Sequence, residues 1–263
     1  MKGIINFESI WRRSLKALGL YNQWLFYRER KMPTETMLRM RKLYSQFVHE
    51  GALCFDIGAN MGSRVGCFLM LKCRVIAVEP QHKCYTELKK VFKDQPVTVI
   101  EKGVGEKQEV KNFYIASNSL ISSFSTQWIE GMKSKHKRDN WDTVVAVEIV
   151  TLDMLIDEYG LPDFIKIDTE GFEEEVLKGL SKPVKGLSFE YTLPDPPKKT
   201  LACLDLTERL YKGNALYNIC RDESYEMYYQ EPVSGTELKK LIASEQFNIK
   251  NFGGYGDIYV KKS

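Results

Sequence analysis

Residues 54–62 of the chain read Cys54-Phe-Asp-Ile-Gly-Ala-Asn-Met-Gly62, within an apolar run that begins at residue 52. Gly58 and Gly62 allow the backbone to turn tightly and to approach a ligand without a Cβ in the way. Asp56, near the end of the run, can accept hydrogen bonds from an ammonium group or a hydroxyl. The segment therefore predicts a buried strand, a tight turn and a helix, with a ligand beside the turn.

Strands and helices alternate in the sequence after this segment. Apolar runs predict buried strands at 52–57, 74–78, 97–100, 163–167, 186–191 and 257–261. Helical patterns predict helices at 63–72, 82–92, 151–159, 171–180 and 201–212. Polar and apolar side chains alternate, as in half-exposed strands, at 110–116 and 144–150. This order predicts an α/β fold with a doubly wound, mostly parallel sheet that carries helices on both faces.

The composition is that of a globular protein. The 263 residues are 43% apolar and 28% charged, which excludes a disordered chain, a fibrous repeat and a disulfide-stapled mini-protein. No apolar run approaches the roughly 18 residues of a membrane span, and the charges in residues 1–20 argue against a secretory signal. The six cysteines form no Cys-x-x-Cys pair and the three histidines are far apart. We therefore expect no zinc site, no disulfide framework and a cytoplasmic location.

Residues 1–49 are expected to form a basic helical arm, followed by a single large domain at 50–263. Residues 1–42 hold ten Lys or Arg against three Asp or Glu, a net charge of +7, whereas the whole chain carries +3. A basic amphipathic helix can contact an anionic membrane surface or nucleic acid. The arm has no lipidation signal and no dense polybasic block. We therefore favour packing on the main domain or on another subunit, with peripheral membrane contact as the alternative.

A second acid follows the next predicted strand. Glu79 ends the run at 74–78 and lies 23 residues after Asp56. An acid at this place in a doubly wound sheet can bind both hydroxyls of a ribose. Because the ends of neighbouring parallel strands meet at one edge of the sheet, Asp56 and Glu79 together predict a site for a cofactor that contains a nucleoside.

The glycine spacing distinguishes between such cofactors. A dinucleotide fingerprint requires glycine at the third and sixth positions counted from Gly58, where this chain has Asn60 and Ser63. No phosphate-binding GxxxxGK[ST] motif occurs. Asp56 would also repel a pyrophosphate, whereas it suits a ligand that is cationic at that end. These residues favour the ammonium and sulfonium groups of S-adenosylmethionine.

Five motifs stand in the order Asp56-Ile-Gly-Ala-Asn-Met-Gly62, Val78-Glu79-Pro80, Thr151-Leu152-Asp153, Ile165-Lys-Ile-Asp-Thr-Glu-Gly171 and Glu175-Val-Leu-Lys-Gly179. Over about residues 50–192, the chain thereby resembles the FkbM family of S-adenosylmethionine-dependent methyltransferases. The resemblance implies the class I methyltransferase sheet, with seven strands of which the last is antiparallel. It also implies methylation of a hydroxyl on a sugar, a glycan or a polyketide-type natural product.

The resemblance also implies which residues bind the cofactor. The methionine end of the cofactor is expected beside Asp56, Gly58, Asn60, Gly62 and Ser63. Glu79 is expected at the ribose. The adenine is expected beside Gly103 and Val104, which follow the third predicted strand.

The residues around 166–171 point to a reaction centre. Asp168 follows a buried strand and is expected to face the reactive end of the cofactor, where it can take the proton of an acceptor hydroxyl. Glu190 is the second candidate for this base, with binding of the acceptor hydroxyls as its other role. Lys166 lies on the same strand face as Asp168, so its ammonium can hold that carboxylate ionised.

Glu170 and a metal ion offer further interpretations of the same acids. Glu170 suits a structural role at the start of the next helix, where an acid meets the helix dipole. Asp168, Glu170 and Glu190 could together hold Mg²⁺ or Mn²⁺ through oxygen ligands. Three acids at strand ends are common without a metal, and we do not expect one here.

Residues 117–140 lack clear periodicity; residues 117–126 contain seven Ser, Thr or Asn residues, and a short basic run follows at 133–138. Such a segment is either a lid that binds the acceptor or a solvated loop. Trp128 and Trp141 would suit stacking on a saccharide. His136 is an alternative base, although a lone histidine among basic residues is usually solvated. The basic run is too short to indicate a nucleic-acid partner.

The leading interpretation is an S-adenosylmethionine-dependent O-methyltransferase with a small-molecule or glycan acceptor. One alternative is a non-catalytic adaptor that uses the fold and its basic arm, although retention of Asp56, Glu79 and Asp168 argues against it. The other is an NAD or nucleotide-sugar enzyme, which Asn60 and Ser63 disfavour. The identity of the acceptor, metal dependence and the oligomeric state are not determined by these patterns.

Overall fold

The computed structural model describes Leu15, Lys16, Leu18, residues 20–193 and residues 197–263. Of the helical arm expected at 1–49, residues 1–14, 17 and 19 lie outside the described residues. No helix in the described part of the chain is long and apolar enough to cross a membrane.

The strands run in chain order as β1 Leu53–Ile57, β2 Arg74–Val78, β3 Val97–Ile100, β4 Gly103–Val104, β5 Glu109–Ile115, β6 Thr143–Val150, β7 Phe164–Ile167, β8 Gly186–Thr192, β9 Ala215–Arg221, β10 Val233–Ser234 and β11 Tyr255–Lys262. The helices of the described residues are α1 Tyr21–Lys31, α2 Glu35–Tyr44, α3 Ser63–Met70, α4 His82–Val91, α5 Thr126–Met132, α6 Leu152–Tyr159, α7 Glu173–Lys178, α8 Pro197–Leu210, α9 Gly235–Ile242 and α10 Ile249–Phe252.

The central sheet has the strand order β10-β9-β11-β8-β7-β1-β2-β3. The strands from β3 to β8 in this order run parallel, and β11 is antiparallel to both β8 and β9. This confirms the doubly wound, mostly parallel sheet with an antiparallel last strand. The strand order reverses between β1 and β7, so a crevice opens at the carboxyl ends of these two strands.

The central strands are buried on both faces, because apolar side chains alternate between two clusters. Phe55, Ile57, Ile165 and Ile167 belong to one cluster. Cys54, together with Phe164 from β7, belongs to the other. Asp56 and Lys166 therefore point to the second face, which α3 covers.

The structure corrects the number of strands. The central sheet has eight strands rather than seven, because the two-residue β10 extends its edge beyond β9. The sequence patterns also missed β9 and α9. Helix α9 begins at a capping box in which the Ser234 and Glu237 side chains bind each other's backbone N–H groups.

The two half-exposed strands that we expected do not join the central sheet. They are β5 and β6, which pair antiparallel and form a separate three-stranded sheet with β4. The Phe113 ring of β5 lies 4.5 Å from the Phe124 ring, between centroids, and Phe124 in turn lies 5.3 Å from Phe172. This small sheet thereby covers the crevice beside β7.

The described part of the arm packs on the domain. Phe26 of α1 meets Phe92 edge to face, with ring centroids 4.9 Å apart. Tyr44 of α2 is buried, and its ring centroid lies 4.8 Å from that of Phe68 and 5.5 Å from that of Phe164. These contacts place α1 and α2 on the face of the sheet that carries Asp56 and Lys166. A domain boundary between residues 49 and 50 stays a prediction.

Candidate active site

The turn after β1 brings the loops after β1 and β7 into contact. Gly58 has a φ of +84°, and a Cβ on it would collide with the backbone carbonyl of Asp168. Gly62 also has a φ of +84°, but a Cβ there would collide with Leu88 and Phe92. Gly58 therefore permits the close approach at the crevice, whereas Gly62 fits α4 against the turn.

A cavity of about 180 Å³ lies at the carboxyl ends of the strands, and we call it the strand-end cavity. It is lined by eight of the expected site residues, namely Asp56, Gly58, Asn60, Ser63, Glu79, Gly103, Val104 and Asp168. The residues that line it do not include Gly62, Lys166 or Glu190. Residues from four separate segments of the sequence thus meet in one crevice.

Glu79 is held in place by the backbone. Its side chain is 2% exposed, and its two oxygens accept the N–H groups of Asn60 and Gln81, each at 2.8 Å. Burial raises the pKa of Glu79 to about 7, although both hydrogen bonds oppose this shift. Each carboxylate oxygen has a second lone pair, so Glu79 can still accept hydrogen bonds from the hydroxyls of a ribose.

Asp56 lines the strand-end cavity and has one acceptor atom without a partner. The residue is 2% exposed, and its Oδ2 atom has no hydrogen-bond partner. Burial raises the pKa of Asp56 to about 6, and the positive charges of Arg64 and Lys166 limit this rise. A buried acceptor without a partner is costly, so this atom fits a ligand that brings a cationic donor.

The Lys166 ammonium forms ion pairs with two carboxylates at the end of β7. The residue is fully buried, and its Nζ lies 3.1 Å from Asp168 Oδ2 and 2.9 Å from Asp257 Oδ1. Burial alone would lower the pKa of Lys166, but Asp168 and Asp257 raise it above its usual value. Burial alone would raise the pKa of Asp168, but Lys166 and Arg64 lower it. Asp168 is therefore an ionised carboxylate near neutral pH.

Asp168, Glu170 and Glu190 form an acid cluster, in which one carboxylate oxygen from each lies within 4.8 Å of the others. Burial and then the charge of Asp168 raise the pKa values of Glu170 and Glu190 well above their usual range. Glu190 Oε2 is buried and has no hydrogen-bond partner. The cluster thus combines one carboxylate of lowered pKa, Asp168, with two acids of raised pKa. Its oxygen atoms would also suit Mg²⁺ or Mn²⁺, which stays untested.

The structural role that we expected for Glu170 belongs to a different acid. Glu173 Oε1 accepts the N–H groups of Thr169 and Gly171, at 2.9 and 3.2 Å, just before α7. Glu170 itself has a φ of +53° and lines the strand-end cavity. Its side chain therefore remains part of the site.

Residues 119–124 cover the strand-end cavity. The Ser119 carbonyl accepts hydrogen bonds from Asn60 Nδ2 at 3.1 Å and from Gln81 Nε2 at 3.0 Å. Ser122 donates to Gln81 Oε1 at 3.2 Å, and the Phe124 side chain lines the cavity. Within the segment 117–140, residues 119–124 thus cover the cavity and residues 126–132 form α5, whereas most of residues 133–140 are exposed.

Sequence reasoning missed Arg64, Gln81 and Asp257. Arg64 and Gln81 line the strand-end cavity, and Asp257 binds Lys166 from β11. Arg64 is the second residue of a helix that reads as amphipathic, so nothing in its local pattern marked it. Asp257 could have been suspected, because a lone acid interrupts an apolar strand there. An acid buried in a strand requires a partner.

Comparison with known proteins identifies a family that this chain matches. The model of a family described as methyltransferase FkbM domain matches residues 56–229. Hexuronic acid methyltransferase AglP from Haloferax volcanii is 27% identical over 150 residues, which cover 56% of this chain and 58% of that protein. The matched region thus spans little more than half the length of that relative.

Two solved structures have similar folds at low identity. One is precorrin-6y C5,15-methyltransferase from Geobacter metallireducens, with 12% identity, a TM-score of 0.42 and coverage of 87% of this chain and 86% of that chain. The other is a TehB-like SAM-dependent methyltransferase from Corynebacterium glutamicum, with 11% identity, a TM-score of 0.40 and coverage of 86% and 88%.

Proposed function

Since this chain belongs to the FkbM methyltransferase family, we propose that it transfers the methyl group of S-adenosylmethionine to a hydroxyl of a sugar or glycan. One observation carries the proposal. The strand-end cavity joins Asp56, whose Oδ2 has no partner, and the buried Glu79 to the ionised Asp168. The similarity to a hexuronic acid methyltransferase supports a sugar acceptor over a natural product.

The residues of the strand-end cavity fit this cofactor. Asp56 Oδ2 would accept from the ammonium of the methionine part, which supplies the donor that this buried atom lacks. Glu79 would bind the ribose hydroxyls, and Gly103 with Val104 would lie at the adenine. The cofactor, when bound, supplies a methyl carbon activated by its sulfonium.

Asp168 is proposed to take the proton of the acceptor hydroxyl. As a hydroxyl oxygen gains a bond to carbon, its proton becomes strongly acidic, so even a carboxylate of lowered pKa can accept it. Such a base must be ionised and within hydrogen-bond reach. Lys166 and Arg64 keep Asp168 ionised, and because Oδ2 already accepts from Lys166, the proton would pass to Oδ1. Alignment of the hydroxyl in the crevice supplies much of the remaining rate.

Methyl transfer to defined sugars tests the proposal. We expect the purified protein to release S-adenosylhomocysteine when it is given S-adenosylmethionine with methyl β-D-glucuronide, and less with methyl β-D-glucoside. Mass spectrometry would locate the methyl group on a sugar oxygen.

The proposed proton transfer uses no metal ion, so EDTA is expected to leave the rate of methyl transfer unchanged. Restoration of an EDTA-treated enzyme by Mg²⁺ would instead assign the acid cluster to a metal.

Cofactor affinity is expected to depend on pH through Asp56 and Glu79. Their raised pKa values, about 6 and about 7, mean that both carboxylates are increasingly protonated as the pH falls from 8 to 5. The ionised forms bind the ligand better, so the Kd for S-adenosylhomocysteine should rise at least about tenfold between pH 8 and pH 5. Among the charges that act on Asp56, Arg64 and Lys166 lower its pKa and Asp168 raises it.

Calorimetric titrations at four pH values measure this effect, with Asp56→Asn as the matched control. The variant removes one of the two titrating carboxylates, so its pH dependence should be shallower than that of the wild type. Affinity that stays constant or increases toward pH 5 would contradict the assigned roles of both acids.

A further inference from the structure

A second cavity, which we call the side cavity, also borders the acid cluster. It measures about 390 Å³, within the size range of small-molecule sites. Phe124 lines both cavities, and the backbone passes from Glu170 in the strand-end cavity to Gly171 in the side cavity. Glu190, from the acid cluster, lines the side cavity. The two cavities therefore both border the acid cluster, the strand-end cavity at Asp168 and Glu170 and the side cavity at Glu190.

Two buried polar atoms at the side cavity have no partner. Trp128 is 1% exposed, and its indole Nε1 has no hydrogen-bond acceptor. Its ring is fixed against Gly171, where a Cβ would collide with it. Glu190 Oε2 likewise has no partner. Since buried polar groups are almost always hydrogen-bonded in folded proteins, an unpaired donor and an unpaired acceptor at one cavity indicate a polar ligand.

The side chains around the side cavity suit a saccharide. Polar groups come from three separate elements, with Gln127 on α5, Thr192 on β8 and Thr200 on α8. Aromatic rings, Phe124 and Trp128 among them, form other parts of the wall. A sugar presents hydroxyls along its edges and apolar C–H groups on its faces, so it can use both kinds of surface.

We propose that the side cavity is the acceptor site, where a sugar ring binds with one hydroxyl directed at Asp168. The proposal rests on the proposed methyl transfer. The Trp128 N–H donates to the sugar, and Glu190 meets another of its hydroxyls. The acceptor and the cofactor would then meet at the acid cluster, where an in-line transfer needs the acceptor oxygen, the methyl carbon and the sulfonium sulfur in one line.

Blocking the side cavity tests the assignment. Thr192 lies two residues after Glu190 on β8, so both side chains lie on the same side of the strand. Thr192→Trp should raise the KM for methyl β-D-glucuronide at least about tenfold, while the Kd for S-adenosylhomocysteine changes less than about twofold. Glu130→Trp is the matched control, because Glu130 is an exposed residue of α5 that is not among the residues lining the side cavity. The control should keep the wild-type KM.

Two further variants guard against a folding defect. Gln127→Trp introduces the same bulk at an exposed residue that lines the side cavity, and it should raise the KM in the same direction. Trp128→Phe keeps a ring and removes the N–H group, so it should raise the KM about fivefold, the effect of one hydrogen bond. An unchanged KM in folded Thr192→Trp and Gln127→Trp would overturn the acceptor site.

Saturation-transfer NMR separates this proposal from the methyl transfer itself. With S-adenosylhomocysteine present, the wild type should transfer saturation to methyl β-D-glucuronide, and Thr192→Trp should abolish the signal. If the sugar binds in this way but is not methylated, the proposed function fails and the sugar site stands. If the wild type binds and methylates none of methyl β-D-glucuronide, methyl β-D-glucoside and methyl β-D-galactoside, the saccharide assignment is overturned.

Discussion

Asp168→Asn is expected to lower kcat about 100- to 10,000-fold, the range associated with loss of a general base. The amide has the shape of the carboxylate but cannot take a proton from the acceptor hydroxyl. The fold should survive, because Lys166 keeps its 2.9 Å contact with Asp257 and the amide oxygen can still accept from Lys166. Steady-state kinetics with S-adenosylmethionine and methyl β-D-glucuronide measures the loss.

A matched control variant and a binding measurement show whether the loss of kcat arises in the chemical step. Asp157→Asn changes an exposed carboxylate that pairs with Lys182, and it should leave kcat within about twofold of the wild type. The affinity of Asp168→Asn for S-adenosylhomocysteine should change less than about tenfold, because Asp56 and Glu79 are intact. Wild-type turnover in Asp168→Asn would show that Asp168 is not the general base. If the protein were a non-catalytic adaptor, neither the wild type nor the variant would show turnover.

Lys166→Met is expected to lower the free energy of unfolding by about 3–5 kcal/mol. The change leaves the half-buried Asp168 and the buried Asp257 beside each other without the ammonium that lies within 3.1 Å of both. The two carboxylates then repel each other and lose the charge that offsets their lost solvation, and methionine supplies no donor. Urea denaturation followed by circular dichroism measures the difference.

The control for this prediction is an exposed ion pair. Lys182→Met breaks the contact between Lys182 and Asp157, whose side chains are 57% and 72% exposed, so it should cost no more than about 1 kcal/mol. If the two lysine variants were equally stable, the buried triad would contribute nothing to folding. In that case the ionisation of Asp168 would need another explanation.

The sequence predicted the fold where local patterns and topology agree. The runs at β1, β2 and β7 are short and apolar apart from one charged residue each, so the alternation of strands and helices was clear. Strand β9 was missed because Asn218 interrupts its run. In the structure, that amide binds the backbone of Tyr229, a contact between residues 11 apart that no local pattern reports.

The sequence patterns also did not predict the separate three-stranded sheet. Alternation in β5 and β6 predicted half-exposed strands, which they are, but alternation does not say which partner a strand takes. Pairing between β4 and β6 joins residues more than 40 positions apart. Such long-range pairing depends on the packing of Phe124 and Phe172 beneath the sheet, which only the fold reveals.

The candidate site was predictable to the extent that its residues follow strand ends. Asp56, Glu79 and Asp168 each follow or end a parallel strand, and the topology brings them to one crevice. Gly62 packs on α4 and is not among the residues that line the strand-end cavity, and its contact with the cofactor stays a prediction. Arg64 and Asp257 come from a helix and from the last strand, so their part in the site depends on tertiary contacts.

The most direct test of methyl transfer through the strand-end cavity is calorimetric titration of the purified protein with S-adenosylhomocysteine, with NAD in parallel. We expect binding with a Kd of about 1–100 µM that Glu79→Ala weakens about 100-fold, and no heat from NAD. A thermal melt of Glu79→Ala would confirm that the variant is folded. Binding of NAD without S-adenosylhomocysteine, or no binding of either ligand, would contradict the proposed function.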